Sequence, residues 1–360
     1  MAAGALRRAA GIGFSLAVLA FLAAVPTLSW DTHGVFSSPL DSPGTLTLLG
    51  LCLIFAGVAM SYDLLFGHTG LLSFGHALYF ALGVYVMAIA LERWELWQAI
   101  LVTVAVGIVL PIVVGSVSLR VSGIAFAMVT LAFAQAGTVL VQKNPNNLTG
   151  GEEGLPLAYE KLPSELVGVV NTKHLYWLAL AYLVFVVLVV RWSLASSPGH
   201  VWRAIRENEQ RVEVIGLRPF AFKLLSFAIA SVLATLGGIV YLLLLGTGAS
   251  PQVVSASFTL SLLVMVVIGG TGTLWGPILG AFLYTFLDQR LPAFVDHERI
   301  RDLPSVLRTP LSEPLFVLGV LFILIVFFLP GGLAGFGGRG RRRGLRLLEQ
   351  RVGREAEAGA

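Results

Sequence analysis

Charge and cysteine are what this 360-residue chain lacks. Only 12% of its residues are Asp, Glu, Lys or Arg, about half the share in a soluble domain. With 56% hydrophobic residues against 20 acidic and 24 basic ones, it has too few charges to cover a water-facing surface of this size. That excludes a soluble enzyme and a disordered chain. The single cysteine, Cys52, allows no internal disulfide and no multi-cysteine metal cluster, which excludes a secreted disulfide scaffold. Sustained alternation of apolar and polar residues is missing as well, which argues against an outer-membrane barrel. No G-x-x-x-x-G-K-[ST] occurs, so the chain has no phosphate-cradling loop for ATP; Gly337-Gly-Arg-Gly340 lacks both the lysine and the spacing.

Long uncharged runs are what remains. No Asp, Glu, Lys or Arg interrupts Ala9–Trp30, Ser42–Tyr62, Leu64–Leu91, Leu96–Leu119, Val121–Gln142, His174–Val190, Leu224–Leu287 or Pro314–Gly338. A helical span needs about 20 apolar residues, and within a bilayer the backbone must satisfy its own hydrogen bonds. The fold class is therefore an all-α polytopic membrane protein. About ten transmembrane helices are expected, near 9–29, 44–62, 70–91, 97–117, 123–141, 175–192, 224–246, 257–270, 275–289 and 314–330. The eighth and ninth are short and are also readable as a hairpin that does not cross fully.

Lys and Arg set the orientation. With the N-terminus inside, sixteen fall on the cytoplasmic side and eight outside, so both termini are expected in the cytoplasm. The Arg7-Arg8 pair and the apolar stretch behind it are read as an uncleaved first span rather than a signal peptide. Residues 1–338 then form the membrane domain. Residues 142–173 form an extracytoplasmic loop with four Glu and three Lys, either solvated or a docking surface. Residues 339–360 form an Arg-rich cytoplasmic tail that suits contact with anionic membrane lipid; no nucleic-acid partner is expected.

The chain echoes itself. Gly67-His-Thr69-Gly70-Leu-Leu72 and Gly269-Gly270-Thr271-Gly272-Thr-Leu274 share G-x-T-G-x-L at the same expected side, each followed by a further glycine, Gly75 and Gly276. The echo suggests a two-fold internal repeat. Whatever its origin, such glycines break helices, and breaks at membrane depth are tolerated only where protein or a cavity surrounds them. His76 is the one histidine well inside an apolar run, a candidate for function by default and equally a neutral ring that bonds a neighbouring helix. Thr69, Ser73, Thr130 and Gln135 are the other polar positions that suit a translocation path, although Ser and Thr also join membrane helices. Asp63 and Asp288 each fall at a span end, so a proton relay through His76 is poorly supported, and neither a catalytic set nor a metal cluster is apparent.

The charged insert at 197–218 separates two apolar runs on the expected cytoplasmic side. Its spacing predicts an amphipathic helix with pairs Arg203–Glu207 and Glu207–Arg211, each adding about 0.2–0.5 kcal/mol, an apolar patch of Val201, Ala204 and Ile205, and a stop at Gly216 and Pro219. Such an element suits docking to another protein, or is simply a basic loop.

Arg203-Ala-Ile-Arg206-Glu207-Asn-Glu209, closing at Gly216 after Glu213, resembles the cytoplasmic coupling loop of ABC importer membrane subunits. More narrowly, the chain is similar to the branched-chain amino acid permease family, M-type (LivM-like). Leu65-Phe-Gly67-His68-Thr69-Gly70-Leu-Leu-Ser73-Phe-Gly75-His76 resembles that family's G-x-T-G-L-x-S-x-G-H segment, and Gly123–Ala134 its G-x-x-F-A-M-V-T-L-A-F segment. Asn147–Gly154 resembles its L-T-G-G-x-x-G loop, and Val267–Pro277 its G-G-x-G-T-x-x-G-P segment. Val214-Ile215 and His200-Val201-Trp202 are bulkier than the family's habit. The resemblance implies a multi-pass permease of the bacterial inner membrane that binds no cofactor itself. ATP and Mg would sit on two cytoplasmic ABC ATPase subunits, and the other partners would be a homologous H-type permease and an extracytoplasmic solute-binding protein. The implied solute is a branched-chain amino acid or a related small polar molecule. An ion-coupled secondary transporter and an ABC permease for urea, amides or sugars are the alternatives.

Overall fold

The computed structural model describes residues 17–28, 39–168, 171–295, 314–329 and 331–335. The start of the first expected span, most of the segment at 290–313 and the Arg-rich tail lie outside the described residues. Twelve helices run in order among those described. They are α1 (Ala17–Thr27), α2 (Pro43–Asp63), α3 (His76–Arg93), α4 (Leu96–Ser118), α5 (Ile124–Lys143), α6 (Thr172–Ala195), α7 (Ser197–Glu207), α8 (Glu209–Val214), α9 (Pro219–Leu245), α10 (Ala256–Gly269), α11 (Gly276–Val295) and α12 (Pro314–Phe328). No strand occurs among the described residues; one isolated bridge pairs Leu155 with Ala249.

Seven segments are long and apolar enough to cross a membrane: Pro43–Thr69, His76–Arg93, Leu96–Ser118, Ile124–Lys143, Thr172–Ala195, Pro219–Leu245 and Phe316–Gly335. At 14 residues α10 is about 21 Å long, short of the roughly 30 Å hydrocarbon layer. Two expected starts move. The third span begins at His76 rather than 70, because the chain leaves the helix at Gly70, with φ +81°, and re-enters it after Gly75. The seventh begins at Pro219, which opens α9 from its first turn instead of ending the insert before it.

Helix α2 is the hub, packed against α6, α9, α10 and α11. Its residues have low helical amphipathicity because nearly every face is covered. An aromatic cluster locks four helices together. Phe80 of α3 lies 4.9 Å from Phe258 of α10, 5.2 Å from Tyr241 of α9 and 6.2 Å from Phe55 of α2, ring centre to ring centre. Helices α3 and α9 cross closest at Gly83 and Gly238, where an added Cβ would run into the carbonyls of Thr235 and Phe80. Small residues allow this approach, and Thr235 secures it by donating to the Tyr79 carbonyl at 3.1 Å.

The end of the bundle opposite α7 is built from 144–168 and 246–254. Leu155 and Ala249 exchange backbone hydrogen bonds of 3.0 and 2.8 Å, Tyr159 donates to the Gly246 carbonyl, and the Asn144 side chain accepts from Thr149 and Gly150 amides at 2.9 and 3.1 Å. Residues 142–168 are thus a pinned pad with three short 3-10 turns.

Candidate coupling site

At the other end, α2 does not stop at Asp63. It widens into a π-turn over Leu64–Thr69, with Gly70 left-handed after it. The segment between α10 and α11 forms the second break, with Gly270 and Gly272 at φ +111° and +73°. The two breaks that echo each other in sequence meet in space. Gly272 donates its backbone N–H to both oxygens of Asp63, at 2.9 and 3.2 Å. Asp63 is 2% exposed, and His68 Nε2 lies 3.6 Å from its Oδ2. A Cβ on Gly67 would fall onto Asp63 Oδ1 and the Gly272 nitrogen, so the contact needs glycine there.

Helix α7 seats on this junction. The Arg206 guanidinium donates to the Gly67 carbonyl. A Cβ on Gly272 would stand 2.9 Å from Arg206 Nη1, and one on Gly70 would stand 3.1 Å from Arg206 Cγ. One side chain of α7 therefore touches both breaks. Trp202 anchors the helix beside it: the indole is 1% exposed and donates to the Phe222 carbonyl of α9 at 2.8 Å. Arg203 turns back to the end of α6, donating to the carbonyls of Leu194 (2.9 Å) and Gly199 (3.2 Å), as basic residues do at helix C-termini.

Several expectations for the insert change. Helix α7 ends at Glu207, and Asn208 starts α8 as its N-cap, accepting from the Arg211 amide at 3.1 Å. The insert is two helices, so Glu207 and Arg211 are not on one helical face. Among the described residues Glu207 forms no ion pair with Arg203 or Arg211. The buried face is Trp202, Ile205 and Val212, whereas Ala204 is exposed. Glu209 is not free for a partner: it accepts from Lys223 of α9 at 2.5 Å, and Lys223 is itself buried. What faces outward is Glu207, Arg211 and Glu213, with exposed Val214 and Ile215 and Gly216 at the end. Ala204, Glu207, Asn208, Arg211, Val212 and Ile215 line a shallow depression of about 290 Å³ there.

The polar positions in the spans separate into two groups. Thr69, Ser73, His76 and Thr130 are buried. Thr69 donates to Leu64 O at 2.9 Å, and Ser73 Oγ accepts from the Gly75 amide at 3.3 Å. Thr130 accepts from the Phe74 amide at 3.1 Å and donates to Ala127 O. Ser61 gives its proton to Val58 O, so His76 Nε2 is the donor toward Ser61 Oγ at 2.9 Å. Thr130 and His76 join separate elements, and Thr69 and Ser73 brace the break locally. Gln135 is exposed on α5, the helix that also carries buried Thr130. Of the remaining glycines, Gly75 caps α3, Gly269 ends α10 and Gly276 opens α11. Gly280 packs that helix against the Met265 carbonyl of α10.

Sequence reasoning missed Asp63 and Lys223. In the sequence Asp63 stands between two uncharged runs and Lys223 just before another, so neither is marked as a buried partner. A lone carboxylate next to a glycine-rich break was the signal available for Asp63. Among the described residues there is no group of three His, Cys, Asp or Glu able to hold a metal.

Seven long apolar helices, one of them a nearly fully packed hub, with helix breaks gathered under a charged two-helix insert, define a polytopic membrane protein. The chain belongs to the family described as the permease component of branched-chain amino acid transport systems, which it matches over residues 44–329. It is a multi-pass inner-membrane protein. It is similar to the high-affinity branched-chain amino acid transport system permease protein LivM of Escherichia coli K12, with 25% identity over 81% of this chain and 70% of that protein. It is 23% identical to the probable branched-chain amino acid transport permease LivM of Methanocaldococcus jannaschii, over 80% of this chain and 94% of that one. A shorter match, 32% identical over 40% of this chain and 44% of the relative, is to the autoinducer 2 import system permease LsrC of Photorhabdus laumondii. No solved structure matches the chain.

Proposed function

We propose that the chain is a membrane-spanning permease subunit of an ABC importer and moves branched-chain amino acids, or a related small polar solute, by alternating access. The observation that carries this reading is the double contact at α7: Glu207 at its end and Arg211 of α8 face outward, while Arg206 of α7 holds Gly67 and lies against Gly272. A push on α7 from a cytoplasmic ATPase is then delivered to both helix breaks at once. Two ATPase subunits supply that push, with ATP and Mg bound on them and not on this chain. A homologous H-type permease completes the membrane unit. An extracytoplasmic solute-binding protein docks on 142–173, where a pinned pad gives it a fixed surface. In this reading α1–α6 and α9–α12 make ten crossings of a 1–338 membrane domain, with α10 crossing together with the 3-10 turn Pro251–Val254 that precedes it. Residues 197–218 are the cytoplasmic coupling loop, the two glycine breaks are equivalent parts of a two-fold repeat, both termini are cytoplasmic, and 339–360 lies on anionic lipid.

The test is uptake of labelled leucine into proteoliposomes that hold the chain with its companion permease, ATPases and binding protein. Uptake is expected only with ATP on the ATPase side and to persist with a protonophore. Uptake by the chain alone, or its collapse with the protonophore, overturns the reading in favour of ion coupling. The LsrC relative supports a second substrate reading, autoinducer 2, which competition of leucine uptake by autoinducer 2 distinguishes. Sidedness is read by labelling a cysteine placed at exposed Ala204; labelling from outside contradicts the topology.

A further inference from the structure

An open cleft at the start of α4 has no part in the transport reading. It lies between the first turn of that helix and the 3-10 turn Tyr159–Lys161 of the pad, and its volume is about 570 Å³, within the range of small-molecule sites. Glu95, Trp97 and Ile100 stand on one side, and Glu160, Lys161 and Leu162 on the other. The lining therefore combines two carboxylates, one ammonium and an apolar wall.

Half-buried Lys161 donates to the Glu92 carbonyl at the end of α3, at 3.1 Å. An ammonium has three donors, so two are left for an anion. Glu95 closes the start of α4 in a capping box with Gln98, which engages part of its carboxylate. Glu160 is exposed and enters no ion pair among the described residues. With two acidic groups against one basic, the cleft suits a ligand that carries a cation as well as an anion. The apolar wall continues down the helix: Trp97, Leu101, Ala105, Ile108 and Ile112 are all exposed and recur at helical spacing. Exposed Trp94 and Trp97 mark this level as a membrane–water interface. A ligand seated here has its charged end between Lys161 and the carboxylates and its apolar end on a lipid-facing stripe.

We propose that this cleft holds the headgroup of a phospholipid with a primary ammonium, phosphatidylethanolamine. Its phosphate lies on Lys161, its ammonium on Glu160 and Glu95, and one acyl chain follows the exposed face of α4. An anionic phospholipid brings the phosphate without a cation and meets two carboxylates. A choline headgroup brings a cation with no proton to donate. The bound lipid bridges the pad to the interfacial ends of α3 and α4. The inference needs only the membrane setting of α4 and is independent of ATP drive.

The experiment uses the full chain in its complex and a phosphatidylethanolamine with a photoactivatable group next to its headgroup. Cross-linked residues are located by peptide mass, and unlabelled phosphatidylethanolamine, phosphatidylcholine, phosphatidylglycerol and leucine serve as competitors. Labelling is expected within 95–101 and 159–163, with phosphatidylethanolamine the best competitor. Glu160→Gln is expected to weaken that competition by about two- to fivefold, the worth of one exposed ion pair. Glu160→Lys should make phosphatidylglycerol the better competitor, a reversal that a merely structural role would not produce. Lys161→Gln should weaken all three phospholipids. Labelling spread evenly over the lipid-facing helices, an unchanged order of competitors in Glu160→Lys, or unchanged competition in Lys161→Gln overturns the proposal. Displacement by leucine overturns it in favour of a solute site. The outcome is separable from the transport reading: ATP-driven uptake with no localised labelling removes the lipid site alone, and localised labelling without ATP-driven uptake removes the drive alone.

Discussion

Asp63 and Gly272, 209 residues apart in sequence, are joined by hydrogen bonds from one amide to both carboxylate oxygens. The bond ties the end of α2 to the loop between α10 and α11, and Arg206 of α7 rests on the same pair of loops. The buried carboxylate satisfies a backbone donor at a helix break, a position where an unpaired group is costly. Replacing Asp63 by Asn keeps an acceptor of the same shape, and replacing it by Leu leaves the amide unpaired. Asp63→Leu is expected to cost about 1–3 kcal/mol and Asp63→Asn less, read as the order of thermal midpoints in detergent. Equal midpoints contradict the role assigned to the carboxylate.

The glycines at the junction make a steric prediction. Gly67→Ala places a methyl on the Asp63 carboxylate and the Gly272 amide, whereas Gly44→Ala meets nothing within 4 Å. Overpacking typically costs about 1–3 kcal/mol. Folded yield of Gly67→Ala should fall and that of Gly44→Ala should match the parent by size-exclusion profile; the reverse order refutes the contact.

Glu207 and Glu209, two residues apart, are expected to behave differently. Glu209→Ala strips a buried Lys223 of its partner, and a hydrogen bond to a charged group is worth about 1.5–3 kcal/mol. Glu207 is exposed and unpaired among the described residues. Glu209→Ala should lower the midpoint, while Glu207→Ala should leave it in place and weaken ATPase co-purification. Unchanged association in Glu207→Ala contradicts docking at this face.

His76 is 0% exposed and bonded to Ser61, so it meets no passing solute in this conformation. His76→Gln is expected to reduce stability, by roughly the 0.5–1.5 kcal/mol of one hydrogen bond, and to leave the KM for uptake unchanged. A KM shift without a stability change assigns it to the path instead.

Much of this architecture was legible in the sequence because burial in a bilayer removes charge, and the gaps between charges bound the helices. The echo of Gly67–Leu72 in Gly269–Leu274 was also legible; its spatial meaning was not, because spacing says nothing of which loops touch. Asp63 looked like the flank of a span, and only the arrival of the Gly272 amide explains its burial. The break at Asn208 carried a readable sign, a strong N-cap residue just before Glu209, hidden by the helix-prone residues on both sides. The polar path candidates failed to separate because Ser, Thr and His read alike whether they bond a neighbouring backbone or face a cavity. Exposure, which isolates Gln135, is a property of packing.

The central claim is that α7 passes the motor's motion to both helix breaks through Arg206. The direct measurement is ATP hydrolysis and leucine uptake in the same proteoliposomes of the full complex, parent against Arg206→Ala. The account predicts assembly and hydrolysis near the parent's level with uptake per ATP largely lost. Uptake per ATP equal to the parent's contradicts it.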